Sequence, residues 1–346
     1  VPTTRTASRI LAIRLERESS RALAASDSAG QRSQRNWKAV SESFLRFSPR
    51  VYFREVETVG AQGAWLFVDV ASTSHLFLGE EELMRTAAAL AKDLGFGVKL
   101  AIADTPAGAQ AFAMAQSLVR EHETGKIIPM GEEREWLKML SLPHLLQLEG
   151  VTAWARPSQI ESIITFFMTL GFKKVGDLAK FSVSSFHERW GDVGTLFYKR
   201  INALDRQVIS PMLPTQPLED YVHLDFPITL VSLLLHQAEK SLDYLFARLH
   251  GRKLHARKLV LILHCEYSNA RHTIEIEPNT PSRNRDLFVT LMEKRLGDLD
   301  LLNPIRDFEM QIVPCPEKES QLDFFEPRVS DSDKLQTLFS LLLQSG

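Results

Sequence analysis

The 346-residue chain has two cysteines and no run of eighteen or more apolar residues. Cys265 and Cys315 belong to no C-x-x-C spacing and the ten histidines are scattered, so neither a disulfide framework nor a zinc site is predicted. The first twenty residues carry charges where a signal peptide needs an apolar block. These absences favour a cytoplasmic protein without a membrane segment, a bound metal or another cofactor.

The chain also has no excess of charge of one sign, with a formal net charge of −2. This balance argues against a protein that coats nucleic acid, although a local basic patch can still bind a phosphate backbone. Hydrophobic residues make up 44% of the chain and charged residues 24%. Such a composition is ordinary for a globular protein, and the length allows two to four domains.

The first third alternates strand-like and helix-like periods, which predicts an α/β sheet layer. Its strands are predicted at "RILAIRL", "RVYFREVE", "GAWLFVDV" and "VKLAIA". Its helices are predicted at "NWKAVSESFLRF", "EEELMRTAAALAKDLG" and "AGAQAFAMAQSLV". The small, polar residues between the first strand and Trp37 have no period and indicate a loop.

From Leu142 the pattern is helical, and "LGFKKVGDL" indicates a tight helical hairpin. The proline-rich "SPMLPTQPLED" is typical of a linker. Beyond it, the pattern predicts strand, helix, strand, strand, helix and strand, a β-α-β-β-α-β open-faced sandwich. A tail follows and closes in the leucine-rich "DKLQTLFSLLLQ". The predicted fold class is therefore α/β and α+β multidomain.

This order of parts resembles the palm, thumb and little finger of a Y-family translesion DNA polymerase. "RFSPRV", "AWLFVDVASTSHLFLGEEEL", "VKLAIADTPAGAQAFA", "LGFKKVGDLAKF" and "LDFPI" are similar to its ImuB subgroup, polymerase-like proteins of bacterial mutagenic repair cassettes. The resemblance covers roughly Arg9 to Pro327. It implies a palm over 1–141 with most of the fingers missing at 17–36, a thumb over 142–210, a linker over 211–218, a little finger over 219–316 and a tail over 317–346.

Active members of the family hold two magnesium ions with carboxylates on the first palm strand and a later palm hairpin. The corresponding positions here are Arg14 and Glu16 in the first strand and Ala64 and Trp65 in the hairpin. A guanidinium repels the cation that an aspartate binds, and neither alanine nor tryptophan coordinates magnesium. The resemblance therefore implies a palm with no catalytic residue, no bound metal and no polymerase activity.

The alternative is a divergent, active Y-family polymerase with displaced metal-binding carboxylates. Such carboxylates are available on or near the predicted palm strands at Glu16, Glu18, Glu55, Glu57 and Asp69. Strand alternation puts Glu55 and Glu57 on one face, where solvated charge is the ordinary explanation. Primer extension with magnesium or manganese distinguishes the two interpretations.

Two groups of basic residues are candidates for DNA binding. The segment "ARLHGRKLHARKL" contains no acid, and the resemblance places it against the duplex, where its cations would contact phosphates without reading sequence. The other interpretation is a solvated helix end whose cations favour the C-terminal dipole. The candidates are Arg248, Arg252, Lys253, Arg257 and Lys258, with Lys173 and Lys174 in the predicted hairpin turn as a second group.

The tail contains "QLDFFEP", in which two adjacent phenylalanines stand among charges and a proline. This stretch resembles the short motif by which bacterial polymerases bind the sliding clamp, and its position after the last little-finger strand matches the family. The motif comprises Gln321, Leu322, Asp323, Phe324 and Phe325. Alternatively, the phenylalanines fold back on their own domain. A further possibility for the whole chain is a generic structure-specific DNA binder with no clamp role.

The resemblance implies a non-catalytic adaptor for error-prone translesion synthesis in SOS mutagenesis. Its implied partners are the bacterial β sliding clamp and primer-template DNA bound without sequence specificity. Further implied partners are an error-prone C-family replicative-type polymerase, a recombinase-like companion from the same cassette and the SOS recombinase filament. The expected location is the cytoplasm, at the nucleoid.

Overall fold

The computed structural model describes residues 8–16, 36–58, 61–115, 125–151, 156–268, 270–299 and 303–316. The chain divides into two compact units. Unit 1 comprises residues 1–19 and 47–213, and unit 2 comprises residues 20–46 and 214–346.

Nine strands lie in the described ranges, and they form two sheets. The strands are β1 (Ile10–Glu16), β2 (Val51–Thr58), β3 (Ala61–Asp69), β4 (Gly97–Ala103), β5 (Lys126–Ile127), β6 (Glu219–Ile228), β7 (Leu254–Cys265), β8 (Arg271–Ile276) and β9 (Ile305–Pro316). The described α-helices are α1 (Trp37–Glu42), α2 (Glu80–Asp93), α3 (Pro106–Met114), α4 (Glu133–Met139), α5 (Pro157–Thr169), α6 (Val183–Ile201), α7 (Val231–Gly251) and α8 (Arg285–Gly297). Short 3-10 helices span Ser43–Arg46, Ser74–Phe77, Leu142–Gln147 and Val175–Lys180. No helix in these ranges is both long enough and apolar enough to cross a bilayer.

Unit 1 contains a five-stranded sheet in the order β2-β3-β1-β4-β5, antiparallel except for the β4–β5 pair. Residues Ile10 to Leu15 of β1 are all buried, and such a continuous run is typical of a central strand covered on both faces. Helix α3 packs on β1 and β4. Thr105 begins α3, because its hydroxyl oxygen accepts a hydrogen bond from the Gly108 amide at 3.0 Å.

The helical part of unit 1 shares one hydrophobic core with the sheet. That core includes Ile10 and Trp65 from strands together with Ile160 and Phe197 from helices. The aromatic side chains of α5, α6 and the segment between them meet one another in the same core. Because the core is continuous, residues 47–141 and 142–213 belong to one compact unit, and the boundary between a palm and a thumb at residue 142 stays a prediction.

Unit 2 contains a four-stranded antiparallel sheet in the order β6-β9-β7-β8. Helices α7 and α8 pack on the sheet and on each other. The predicted sequence of elements, β-α-β-β-α-β, is confirmed, and with it the mixed α/β and α+β fold class. The last strand, β9, lies between β6 and β7, so the first strand of the unit forms one edge of the sheet.

Helix α1 and the 3-10 helix Ser43–Arg46 belong to unit 2, whereas the sequence interpretation grouped them with residues 1–141. They pack on α7. At Gly251 a Cβ atom would lie 2.0 Å from the Glu42 carbonyl oxygen, so only glycine allows the two backbones to approach this closely. Of the segment 17–36, predicted to be a loop, the structure describes only Asn36.

Candidate functional site

Arg14, Glu16, Ala64 and Trp65, the positions that the resemblance aligns with the family's metal ligands, lie on the neighbouring strands β1 and β3 of unit 1. Arg14 of β1 is the cross-strand partner of Trp65 of β3, and Leu15 is the partner of Ala64. Trp65 is also the partner of Arg54 on β2, and Arg14 is the partner of Lys99 on β4. A single row across four strands therefore consists of Lys99, Arg14, Trp65 and Arg54, and is called the cationic row below.

Arg14 is the buried centre of the cationic row. Its residue is 6% exposed, and its guanidinium carbon lies 5.8 Å from the centre of the Trp65 ring. Burial lowers the pKa of the Arg14 guanidinium, Glu16 opposes that shift and the nearby Arg54 adds to it. The side chain remains a cation at neutral pH, because an arginine pKa starts far above 7.

The acids near this row are already paired with its cations. Oε1 of Glu16 lies 3.1 Å from Nζ of Lys99 and 3.6 Å from Nε of Arg14. Arg54 pairs with Glu149 at 2.7 Å. Magnesium needs several oxygen ligands, and the row contributes three cations and an indole instead. These residues do not fit a two-metal centre.

The displaced carboxylates do not assemble a second metal site within the described ranges. Glu16 lies at one end of β1, opposite Gly63. Asp69 lies opposite Ile10, at the other end of β1. At about 3.3 Å per residue, the backbones of Glu16 and Asp69 are therefore about 20 Å apart along the strand. Asp69 instead pairs with Arg50 at 3.2 Å. Glu55 is exposed, and Glu18 lies outside the described residues. No group of three or more metal-ligating side chains occurs in the described part of the chain.

Sequence reasoning missed a buried acid close to the sheet, Glu133 at the start of α4. Its carboxylate accepts hydrogen bonds from the Thr105 amide at 2.7 Å and the Thr105 hydroxyl at 2.5 Å. Burial raises the pKa of Glu133 to about 7, against the opposing effect of these hydrogen bonds. In "GEEREW" nothing distinguishes this glutamate from its exposed neighbours, so only the tertiary structure identifies it.

We expect Glu133 to make unit 1 less stable as pH rises. Because its folded pKa of about 7 exceeds the ordinary value of 4.5, the folded state binds the proton more tightly. The associated stability is fully present below pH 4.5 and is lost as pH rises towards and through 7, by on the order of 3 kcal/mol. Glu133→Gln should flatten this dependence in urea unfolding. The exposed Glu135→Gln on the same helix is the control, and parallel curves for wild type and Glu133→Gln would refute the assignment.

In unit 2 two of the predicted DNA-binding arginines form ion pairs with a buried acid of α1, Glu42. Arg248 is 1% exposed, and its Nη2 donates to Glu42 Oε2 at 3.0 Å and to the Pro217 carbonyl at 2.7 Å. Arg252 donates to the same carboxylate oxygen through Nε at 3.2 Å and Nη2 at 2.5 Å. Both guanidinium groups share the Glu42 carboxylate and are largely enclosed, so in this structure Arg248 and Arg252 are poorly placed for the phosphate contact that the sequence predicts.

The other three cations of this segment differ in exposure. Lys253 is exposed in a left-handed conformation with φ of 57°, and no described acid forms an ion pair with it. Lys258 is largely buried against Glu275, with Nζ at 2.6 Å from a carboxylate oxygen. Arg257 is 66% exposed and lies 3.7 Å from an exposed Glu277. Lys253 and Arg257 thus remain accessible to a phosphate, since an exposed ion pair of this kind contributes little.

The predicted hairpin turn at Lys173 and Lys174 does not offer its backbone amides. Both amides donate to Oδ2 of Asp177, at 3.0 Å and 2.9 Å. These hydrogen bonds are the largest contributions that lower the pKa of the Asp177 carboxyl. Both lysine side chains are exposed, and no described acid pairs with either. Any phosphate contact in this turn must therefore come from the side chains.

The predicted clamp motif, Gln321 to Phe325, and the leucine-rich segment after it lie outside the described residues. No family model matches the chain, and no curated protein matches it.

Among solved structures, the chain is similar to a DinB-family error-prone DNA polymerase from Sulfolobus solfataricus. The identity is 11%, over 88% of this chain and 98% of that chain, with a TM-score of 0.37. A structure of DinB from Sulfolobus solfataricus has 12% identity over 80% of this chain and 76% of that chain, with a TM-score of 0.35. An insertion ternary complex of Dbh DNA polymerase has 13% identity over 80% and 75%, with a TM-score of 0.34. Values this low assign neither a family nor an activity.

Proposed function

We propose that the chain is a non-catalytic Y-family polymerase homologue of the ImuB kind, an adaptor that binds DNA and the bacterial β sliding clamp. The observation that supports this function best is the cationic row. Lys99, Arg14 and Arg54 occupy the sheet row where an active member would need acids, and Arg14 is buried there. A buried guanidinium raises the cost of placing a divalent cation beside it.

The row also explains why loss of polymerase activity leaves the sheet intact. Glu16 lies beside Lys99 and Arg14, Glu149 pairs with Arg54, and the Trp65 ring centre lies 5.8 Å from the Arg14 guanidinium carbon, so each cation of the row has an acid beside it. The proposal would be contradicted by template-directed nucleotide incorporation that is abolished by Asp69→Ala.

The DNA contacts in this proposal are fewer than the sequence predicted. The exposed candidates are Lys173 and Lys174 in unit 1 and Lys253 and Arg257 in unit 2. Four flexible, exposed cations suit binding to phosphates without base recognition. Weak DNA contact then combines with clamp contact through effective concentration, which suits an adaptor that exchanges quickly.

The remaining parts of the proposal rest on the sequence resemblance. The QLDFFEP motif supports the clamp as a partner, and the ImuB-like segments support an error-prone C-family polymerase and a recombinase-like cassette protein as further partners. In this role the chain positions the other polymerase at a lesion during SOS mutagenesis, on DNA at the nucleoid.

The experiment is DNA binding as a function of salt concentration, with matched variants that each remove two positive charges. Lys173→Ala with Lys174→Ala, and Lys253→Ala with Arg257→Ala, should weaken binding to primer-template DNA. Each pair should reduce the slope of log K against log salt by about 2, because each lost phosphate contact removes roughly 0.9.

Arg85→Ala with Lys92→Ala on α2 is the control pair, since both side chains are exposed and lie outside the candidate surfaces. Its slope should equal that of wild type. If all three pairs of substitutions give the same slope, the candidate cations are ordinary solvated surface charges. The DNA-binding part of the proposal then fails.

A further inference from the structure

Unit 2 has an apolar groove at one end of its edge strand, and this groove serves no purpose in the function proposed above. It has a volume of about 230 Å³ and lies between the end of β6 and the start of α7. Three large apolar side chains on its rim are exposed to water, Phe226 at 74%, Leu230 at 60% and Leu233 at 52%. Contiguous apolar exposure of this kind typically marks a binding surface.

A buried polar atom lines the same groove. Gln237 of α7 is 9% exposed, and no described residue donates a hydrogen bond to its Oε1. A buried amide oxygen without a donor costs about 1–3 kcal/mol, so such an atom usually has a partner in the functional state. The groove therefore offers an apolar surface, and an N–H group from a ligand would reach this enclosed acceptor only after the Gln237 side chain turns towards the groove.

The backbone beside the groove is available for pairing. Strand β6 is an edge of the sheet, and its regular pairing with β9 breaks between His223 and Ile228. The break leaves the segment Leu224–Pro227 outside the ladder, next to the apolar rim. An edge strand accepts an added extended strand through backbone hydrogen bonds, with alternate side chains entering pockets. An extended polypeptide fits this combination better than a compact small molecule.

The tail motif of the same chain is too short to fill the groove. Ile305 of β9 pairs with Ile228 at the groove end of the sheet, whereas the strand ends at Pro316, about 36 Å away at 3.3 Å per residue. A fully extended chain from Pro316 spans at most about 29 Å by Phe324. The clamp motif therefore does not reach the groove.

We propose that the β6–α7 groove binds an extended peptide segment of a partner protein, with an apolar side chain inserted beside Leu233 and a lysine or arginine next to it. Asp225 is exposed on the groove and supplies the negative charge that selects the basic neighbour. The peptide supplies the donor for Gln237 Oε1. Neither Lys253 nor Arg257 lines this groove.

The test uses the full chain and short synthetic peptides with the same alternating threonine and valine frame. One peptide carries a central leucine flanked by lysines, one a leucine flanked by glutamates and one a glycine flanked by lysines. In fluorescence anisotropy the lysine-flanked leucine peptide should bind, with the other two at least about 10-fold weaker. Leu233→Glu should abolish this binding, and Gln237→Leu should weaken it about 5-fold through the lost hydrogen bond.

Tyr267→Ala is the matched control, because Tyr267 is 78% exposed in the same unit but does not line the groove. Gln237→Leu also tests folding, since removing an unpaired buried oxygen should leave thermal stability equal or higher. Failure of every peptide to bind, or equal binding by wild type and Leu233→Glu, would refute the proposal. Self-association that Leu233→Glu abolishes would assign the groove to a second copy of this chain and would also overturn it.

Discussion

Replacing Glu42 with alanine should destabilise unit 2 by about 3–5 kcal/mol. The Glu42 carboxylate is fully buried, and it accepts hydrogen bonds from Arg248 and Arg252. Removing it leaves two largely buried guanidinium groups without their counter-charge, which is the costly way to break a buried ion pair. The pair also holds α1 on α7, so its loss should release the segment 36–46.

Hydrogen exchange measured by mass spectrometry on the full chain checks this prediction, because it separates the two units. Amides of α1 and α7 should lose protection in Glu42→Ala, while those of β1 and β3 in unit 1 should not. Glu219→Ala is the control, since Glu219 is an exposed acid in the same unit whose side chain forms no ion pair with a described residue. A loss below about 1 kcal/mol would contradict the prediction and would mean that the Gln216 and Pro217 carbonyls, which already accept hydrogen bonds from these arginines, are sufficient partners without Glu42.

The second large effect concerns the clamp. Gln321→Ala, Phe324→Ala and Phe325→Ala together should reduce affinity for a bacterial β clamp by at least about 100-fold from a micromolar starting point. In the proposed complex the variant would remove an amide that hydrogen-bonds in a small subsite and two aromatic side chains that fill an apolar pocket, and aromatic anchors typically dominate binding affinity. A 100-fold loss corresponds to about 2.7 kcal/mol, well within what such anchors supply.

Surface plasmon resonance with immobilised clamp measures this effect. Glu317→Ala with Glu319→Ala is the matched control, because it changes the polar run just before the motif and leaves the motif intact. DNA binding by the triple variant should equal that of wild type, which shows that the protein is folded. Unchanged clamp affinity in that folded variant would exclude the motif, whereas the cationic row and the DNA contacts would be unaffected by the result.

Local pattern was enough to predict most elements of both units. The strands of the five-stranded sheet and the whole β-α-β-β-α-β order have strong periods, and their type depends on neighbouring residues alone. The short strand β5 and helix α4 were not predicted, because a two-residue strand and a seven-residue helix are too short to show a period. The charge of Arg14 and the indole of Trp65 were evident without a structure, since a residue's chemistry does not depend on its neighbours.

The chemistry present at each position and the order of the elements follow from the sequence, including an arginine at position 14 and the segment QLDFFEP in the tail. Which charges are available to a partner depends on the folded chain. Arg248 and Lys253 belong to one basic segment, yet Glu42, 206 residues before Arg248, encloses the first, while the second remains exposed. Charge availability depends on long-range contacts, because burial and pairing are set by residues that meet only when the chain folds.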